Sequence, residues 1–153
     1  MRCADMMWHS NTVCLLLLQS YGQLRANDCI PAKIGSIKAL VSQSDGTIWV
    51  GYKNGVIERY YQNGRFIKRW GLGCSLTSLC AVGDCVWVGL KEGSIVVMAQ
   101  DLEAIYKWQA HDSAVCSMAL SGGAVCTLGA EGSIKCKVLC QSASVELPET
   151  LAI

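Results

Sequence analysis

From Ile34 onward the apolar residues fall in short runs that alternate with polar positions, and glycine, asparagine or aspartate separates one run from the next. Ile37-Lys38-Ala39-Leu40-Val41 is followed by Ser44-Asp45-Gly46, and Ile48 to Gly51 by Lys53-Asn54-Gly55. Val56 to Tyr61 is followed by Gln62-Asn63-Gly64, and Arg65 to Trp70 closes the unit. Period-two alternation of β-formers between such punctuators predicts strands, and Asn-Gly predicts a hairpin because it tolerates the positive φ angles of a tight turn. A second unit predicts strands at Leu76 to Val82, Val86 to Gly89, Ile95 to Met98 and Ala104 to Trp108, with turns at Gly83-Asp84, Lys91-Glu92-Gly93 and Asp101. A third predicts strands at Val115 to Leu120, Val125 to Leu128 and Ile134 to Leu139, with no persuasive fourth. No stretch repeats its apolar positions at helical spacing without a glycine interrupting it.

The units are copies of one another. Thr47-Ile48-Trp49-Val50-Gly51-Tyr52-Lys53-Asn54-Gly55-Val56-Ile57 recurs as Cys85 to Ile95 and, degraded, as Ala124 to Ile134. Trp49 and Trp87 are 38 residues apart, as are Trp70 and Trp108, and Gly93 and Gly132 are 39 apart. Four-stranded antiparallel units at a period near forty are the blades of a β-propeller. The expected fold is therefore all-β: a partial β-propeller of about three four-stranded blades at 34–71, 72–110 and 111–140, a non-repeat leader at 1–33 and a loose tail at 141–153. Gly51 and Gly89 are expected where a neighbouring backbone comes close, and the tryptophans between blades.

Composition narrows the functional classes. The chain has 153 residues, 52% hydrophobic and 16% charged, with a net charge of +1. That describes a packed chain with no electrostatic reason to bind nucleic acid. Ten cysteines are present, none in a C-x-x-C pair, with only His9 and His111 as histidines. This is not zinc-ligand spacing. Most cysteines lie inside apolar strands, where they act as small reduced hydrophobes, which points to the cytosol or nucleus, and a cytoplasmic chain is expected. The run Leu15-Leu16-Leu17-Leu18 is too short to span a bilayer and lacks a signal-peptide frame, so no stable membrane insertion is expected. Asp45, Asp84, Asp101 and Asp112 read as turn formers rather than acids and bases. No glycine-rich loop opens a helix, so no phosphate cradle is indicated. The sequence assigns no catalytic, cofactor or metal residue.

Ala110-His111-Asp112-Ser113-Ala114-Val115 resembles the start of a WD40 blade, and the Gly-x-Ile after each hairpin is similar to the third strand of one. The Trp-Asp dipeptide that ends such blades is replaced by Tyr60-Tyr61, Met98-Ala99 and Lys137-Val138, which leaves the family's His–Asp–Ser/Thr–Trp hydrogen-bond network incomplete. Within that class, Ile48-Trp49-Val50-Gly51-Tyr52 and Lys107-Trp108-Gln109-Ala110-His111-Asp112-Ser113-Ala114-Val115, with Met118, Thr127-Leu128 and Gly132-Ser133-Ile134, resemble the WD40 region of plant-type inositol polyphosphate 5-phosphatases over residues 35–139. The catalytic domain of that family carries Trp-x-Gly-Asp-x-Asn and Pro-x-Trp-Cys-Asp-Arg motifs. Neither occurs here, and Trp87-Val88-Gly89-Leu90-Lys91-Glu92 lacks the former's Asp and Asn.

Two functions fit. One is a non-catalytic interaction scaffold whose loops Lys53-Asn54, Lys91-Glu92 and His111-Asp112 meet a protein partner. The other is the WD40-region fragment of a 5-phosphatase whose catalytic domain lies outside this chain. Three blades do not close a ring, so the first and last are each expected to leave an apolar face in water. Such faces would be covered by the remainder of a larger propeller, by a protein partner or by a second copy of the chain.

Overall fold

The computed structural model describes residues 34–139, together with the backbone of three short strands at Trp8–His9, Thr12–Cys14 and Cys29–Pro31. The Leu15–Leu18 run and the tail from Cys140 onward lie outside the described residues. Strands β1 (Trp8–His9), β2 (Thr12–Cys14) and β3 (Cys29–Pro31) form a three-stranded antiparallel sheet. The repeats follow as three meanders. The first is β4 (Ile37–Ser42), β5 (Ile48–Tyr52), β6 (Val56–Tyr60) and β7 (Phe66–Gly71). The second is β8 (Leu76–Val82), β9 (Cys85–Leu90), β10 (Ser94–Met98) and β11 (Ala104–Gln109). The third is β12 (Val115–Ser121), β13 (Ala124–Gly129) and β14 (Ile134–Val138), with three strands among the described residues. The described residues contain no helix.

Each blade is a meander because its turns are short and each strand pairs antiparallel with the next. β8 packs between β4 and β12, so the first strand of each blade lies beside its counterpart. Alternation then sends one face of each sheet toward each neighbour. Trp49, Ile57, Leu76, Val88, Val96 and Met98 are buried between blades one and two. Trp87, Ile95, Val97, Val115 and Val125 are buried between blades two and three. β5 and β10 are buried along their whole length, as central strands covered on both faces must be. The outermost β7 and β11 are largely exposed, which places Trp70 at 40% exposure rather than between blades as expected.

The two end faces differ. On blade three Leu128, Ile134 and Val138 stand in solvent at 38%, 67% and 49% exposure, as the open-ring argument requires. On blade one the expectation fails. Ile48, Val50, Tyr52 and Tyr60 are buried, with Ile34, Ile37, Leu40 and Val56 packed against them. Ile34 and Ile37, at the entry to the unit, help to cover this face, and a buried carboxylate, Glu58, sits on it.

The glycine expectation is corrected in position. A side chain at Gly51 or Gly89 would meet side chains of the following blade, Leu76 in one case and Val115 in the other, and at Gly89 also Ser78 of its own sheet. The close backbone approach occurs one hairpin later. A Cβ at Gly93 would lie 2.1 Å from the His111 carbonyl oxygen, and at Gly55 2.0 Å from that of Cys74. The glycine in each of these hairpin turns therefore admits the connector that leads into the next blade.

Candidate interaction surface

The candidate loops collect at one end of the blades. Lys53-Asn54 turns β5 into β6, Lys91-Glu92 turns β9 into β10, and Ala130-Glu131 turns β13 into β14. The connector into the next blade docks on each of the first two. The Gly55 carbonyl accepts from the Leu72 amide at 2.9 Å, and the Gly93 carbonyl accepts from the Ala110 and His111 amides at 3.1 and 3.0 Å. The Lys91 amide donates to the Ser75 carbonyl at 2.9 Å, and the Ala130 amide to the Ala114 carbonyl at 2.8 Å. Lys53, Asn54, Lys91, Glu92 and Asp112 are exposed there. Asn54 is also held by the turn: its side-chain oxygen accepts from the Val56 amide at 3.2 Å. Glu92 pairs with Lys107 at 2.7 Å, and each of the two shifts the other's titration toward its charged form. Both ends of that pair are about half exposed, where ion pairs contribute little.

His111 is not a surface residue. It is 1% exposed. Its Nδ1 lies 2.7 Å from Glu131 Oε1 and 3.0 Å from Ser133 Oγ, and its Nε2 lies 2.8 Å from Thr127 Oγ1. A carboxylate only accepts, so Nδ1–H donates to Glu131, while Thr127 Oγ1, beside Nε2, donates to the Lys135 carbonyl at 3.2 Å. Ser113 and Ser133 also donate to Glu131, and these hydrogen bonds, with that from His111, hold its carboxyl down to about 2. The network that the loss of the Trp-Asp ending leaves incomplete in sequence is thus built without a tryptophan, and its acid is Glu131. Its effect is to tie the connector 110–114 to the β13–β14 turn. His111 is removed from the partner-contacting set because burial and three partners leave it nothing to offer a ligand.

Sequence reasoning missed a second buried network. On blade one Glu58 Oε2 accepts from the Tyr52 and Tyr60 hydroxyls at 2.7 and 2.6 Å, and Oε1 accepts from Arg69 Nε and Nη2 at 2.9 and 2.7 Å. Burial pushes the carboxyl up, but these hydrogen bonds and the guanidinium outweigh it and hold Glu58 below its usual range. Burial and the Glu58 charge push Tyr60 up to about 12 and Tyr52 higher. Alternation puts Glu58 on the same strand face as Val56 and Tyr60, but its partners on β5 and β7 are brought to it only by the folded sheet.

Between β11 and β14 a cleft of about 110 Å³ is lined by Ile95, Trp108, Thr127, Lys135 and Lys137 among others. Lys137 Nζ lies 4.0 Å from the Trp108 ring centre and 5.4 Å from that of Tyr106, which stacks on Trp108. Burial pushes its ammonium down. Lys137 stands where a WD40 blade carries the tryptophan of its Trp-Asp ending.

The cysteine expectation is corrected at one pair. Cys126 and Cys136 lie directly opposite in the β13–β14 ladder, their Cα atoms 4.1 Å apart, and form a disulfide on the open face of blade three. Cys74, Cys80, Cys85 and Cys116 remain thiols. The pair was legible from the hairpin: both residues are equally distant from its turn. Among the described residues no cluster of side chains is suited to hold a metal ion.

Four-stranded meanders set side by side, first strands adjacent, with each connector pinned in the preceding hairpin, define a partial β-propeller of WD40-type blades. The WD40 propeller domain of Doa1 superposes with a TM-score of 0.61 at 17% identity, over 69% of this chain and 38% of that one. The computationally designed protein Ika8 superposes at 0.62 with 20% identity, over 88% of this chain and 45% of that one. The family is narrower still. The profile of the IP5P C-F β-propeller matches residues 31–137, and the chain belongs to that family. Two Arabidopsis thaliana proteins are similar to it: type II inositol polyphosphate 5-phosphatase 14, 29% identical over 100 residues, and type I inositol polyphosphate 5-phosphatase 13, 30% identical over 99. The matches cover 65% and 64% of this chain but 9% of each relative. The chain is thus a β-propeller region of the 5-phosphatase family and spans a small part of the length of those relatives. Among the described residues no helix is long and apolar enough to cross a membrane.

Proposed function

We propose that this chain is a non-catalytic interaction scaffold whose third blade is built to receive a further blade of the same kind, as part of a larger propeller. One contrast between hairpins supports the reading. The connector seat is filled at Gly55 and Gly93, whereas Gly132, with the same backbone conformation, has no described residue within 4 Å of where a Cβ would stand. Among the described residues the seat is unfilled, and Leu128, Ile134 and Val138 beside it are exposed.

In the longer proteins of the family the propeller would hold a partner near a phosphatase domain acting on inositol polyphosphates, and this region would do no chemistry itself. Lys53, Asn54, Lys91, Glu92 and Asp112 are the partner-facing positions in this reading, rigidly presented at one end of the blades. We place the scaffold in the cytoplasm on Cys80 and Cys85, which remain thiols within the apolar strands β8 and β9; the Cys126–Cys136 disulfide is the observation that stands against it.

Light scattering of the purified chain, with and without a separately expressed polypeptide carrying the following blades of a longer family member, tests the docking. A defined complex that Ile134→Asp abolishes supports it. A monodisperse chain that ignores the added blades refutes it. Incubation with an inositol polyphosphate should release no phosphate; sustained release would overturn the non-catalytic assignment.

A further inference from the structure

We propose that Leu128 selects the blade that docks on blade three: the incoming first strand must carry glycine, alanine or serine where blades two and three carry Leu76 and Val115. The inference rests on the blade-docking reading above and gives its partner a defined shape. The repeat supplies the frame. Trp49, Trp87 and Cys126 are equivalent along β5, β9 and β13, and two places on so are Gly51, Gly89 and Leu128. The ladders agree. Gly51 lies opposite Ala39 and Ile57, Gly89 opposite Ser78 and Ile95, and Leu128 opposite Ser117 and Ile134. Trp49 and Ile57 are buried against blade two, and Trp87 and Ile95 against blade three. Cys126, Leu128, Ile134 and Cys136 therefore form the corresponding outgoing face of blade three.

On the interior faces the glycine lets the following first strand pass. A Cβ at Gly51 would lie 2.7 Å from Leu76 Cδ1, and one at Gly89 2.9 Å from Val115 Cγ1. Leu76 and Val115 are themselves equivalent, opposite Leu90 and Gly129, and both are buried. A single methyl group is already too close there, and blade three carries a whole isobutyl group. A following strand with leucine or valine at this place would overlap Leu128, whereas one with a small residue leaves a recess that Leu128 fills.

The neighbouring position has changed in the opposite sense. Trp49 and Trp87 are the large buried side chains of the interior faces. Cys126 replaces them, bonded to Cys136, which stands where Arg59 and Val97 stand. The bulk of the face has thus moved two residues along the strand, from the tryptophan position to the glycine position. Around it the isoleucine and the turn glycine are retained, as Ile134 and Gly132. The Gly132 seat suits any connector of this kind, and Leu128 decides which blade may follow it. A second copy of this chain does not qualify, because its blade one has Ile37, opposite Tyr52, at the place of Leu76.

Calorimetric titration of the full chain with the polypeptide carrying the following blades of a longer family member tests the assignment. Leu128→Gly should weaken binding about 10-fold or more. Enlarging the partner residue aligned with Val115 to leucine should weaken wild-type binding about 30-fold, and Leu128→Gly should recover most of that loss, which also shows that the variant is folded. Tighter or unchanged binding of Leu128→Gly to the unaltered polypeptide would overturn the proposal, because the leucine would then obstruct a blade docked as the interior ones are, or not meet it. A wild-type chain that dimerises as its concentration rises, and that Leu128→Asp returns to monomer in light scattering, would overturn it in favour of a second copy. The absence of any complex, with wild type and Leu128→Gly alike, would defeat the blade-docking reading itself; a complex with the wrong response at Leu128 defeats only this assignment.

Discussion

Gly93 and Gly132 form a natural controlled experiment on what joins one blade to the next. Both occupy the same turn of the repeat, with φ of +88° and +86°. Alanine in the left-handed region costs about 1–2 kcal/mol at either site. At Gly132 no described residue adds to that cost, since none lies within 4 Å. At Gly93 the new methyl would lie 2.1 Å from the His111 carbonyl oxygen and 2.6 Å from that of Ser113. Both obstacles are backbone, so the connector must withdraw. Overpacking of this kind costs about 1–3 kcal/mol. Withdrawal also weakens the two hydrogen bonds from Ala110 and His111 to the Gly93 carbonyl, each contributing about 0.5–1.5 kcal/mol. These losses overlap, and the expected total is about 3–5 kcal/mol for Gly93→Ala against about 1–2 for Gly132→Ala. Thermal unfolding followed by tryptophan fluorescence measures the gap directly, since Trp87 and Trp108 line the interface concerned. At about 4 °C per kcal/mol for a domain of this size, the two variants should separate by about 8 °C. Melting temperatures within about 2 °C of each other, a difference of roughly 0.5 kcal/mol, would refute the idea that the connector seat joins the blades.

The same pair behaves differently in a longer family member. If a further blade fills the open seat, Gly132→Ala should become about as costly there as Gly93→Ala, read by the same melts. Glu58→Ala should destabilise by about 1–3 kcal/mol, because it strands the buried Tyr52 hydroxyl, and urea titration measures it. The folded Glu58 carboxyl is depressed, so its contribution is present above about pH 4.5, the unfolded value, and is lost as pH falls toward the lower folded value. Glu58→Gln should therefore flatten the acid limb of a stability–pH curve. Reducing Cys126–Cys136 reopens a loop of sequence separation 10 and should cost about 2–3 kcal/mol, seen as a lower melting temperature in dithiothreitol that Cys126→Ser/Cys136→Ser reproduces without reductant.

The strands were legible because the sequence states them three times: the turns Lys53-Asn54-Gly55 and Lys91-Glu92-Gly93 each end a strand within a residue of where it ends in space. What period-two alternation does not encode is which face finds a neighbour. Trp49 and Trp70 look equally suited to a core, yet one is fully buried and the other 40% exposed, because β5 is central in its sheet and β7 is outermost. His111 reads as a loop residue from its neighbours Ala110 and Asp112. Its burial depends on Thr127 and Glu131, 16 and 20 residues away, which only the folded hairpin brings to it. The Glu58 network escapes the sequence for a similar reason, since its partners come from three different strands.

The unit of stability in this chain is thus a blade together with the connector of the blade that follows. The hairpin turn supplies a left-handed glycine and its carbonyl. The connector supplies amides, a carbonyl packed where a side chain would be, and in blade three the histidine that locks the turn from inside. Each interior blade gives a seat to its successor and a connector to its predecessor. Blade three gives its connector to Gly93, and among the described residues nothing fills the Gly132 seat. The proposed docking of a further blade rests on that asymmetry rather than on particular side chains at the loop tips: the backbone of blade three carries an acceptor, a recess for a carbonyl and an apolar face, complementary to the one kind of structure that the chain already contains twice.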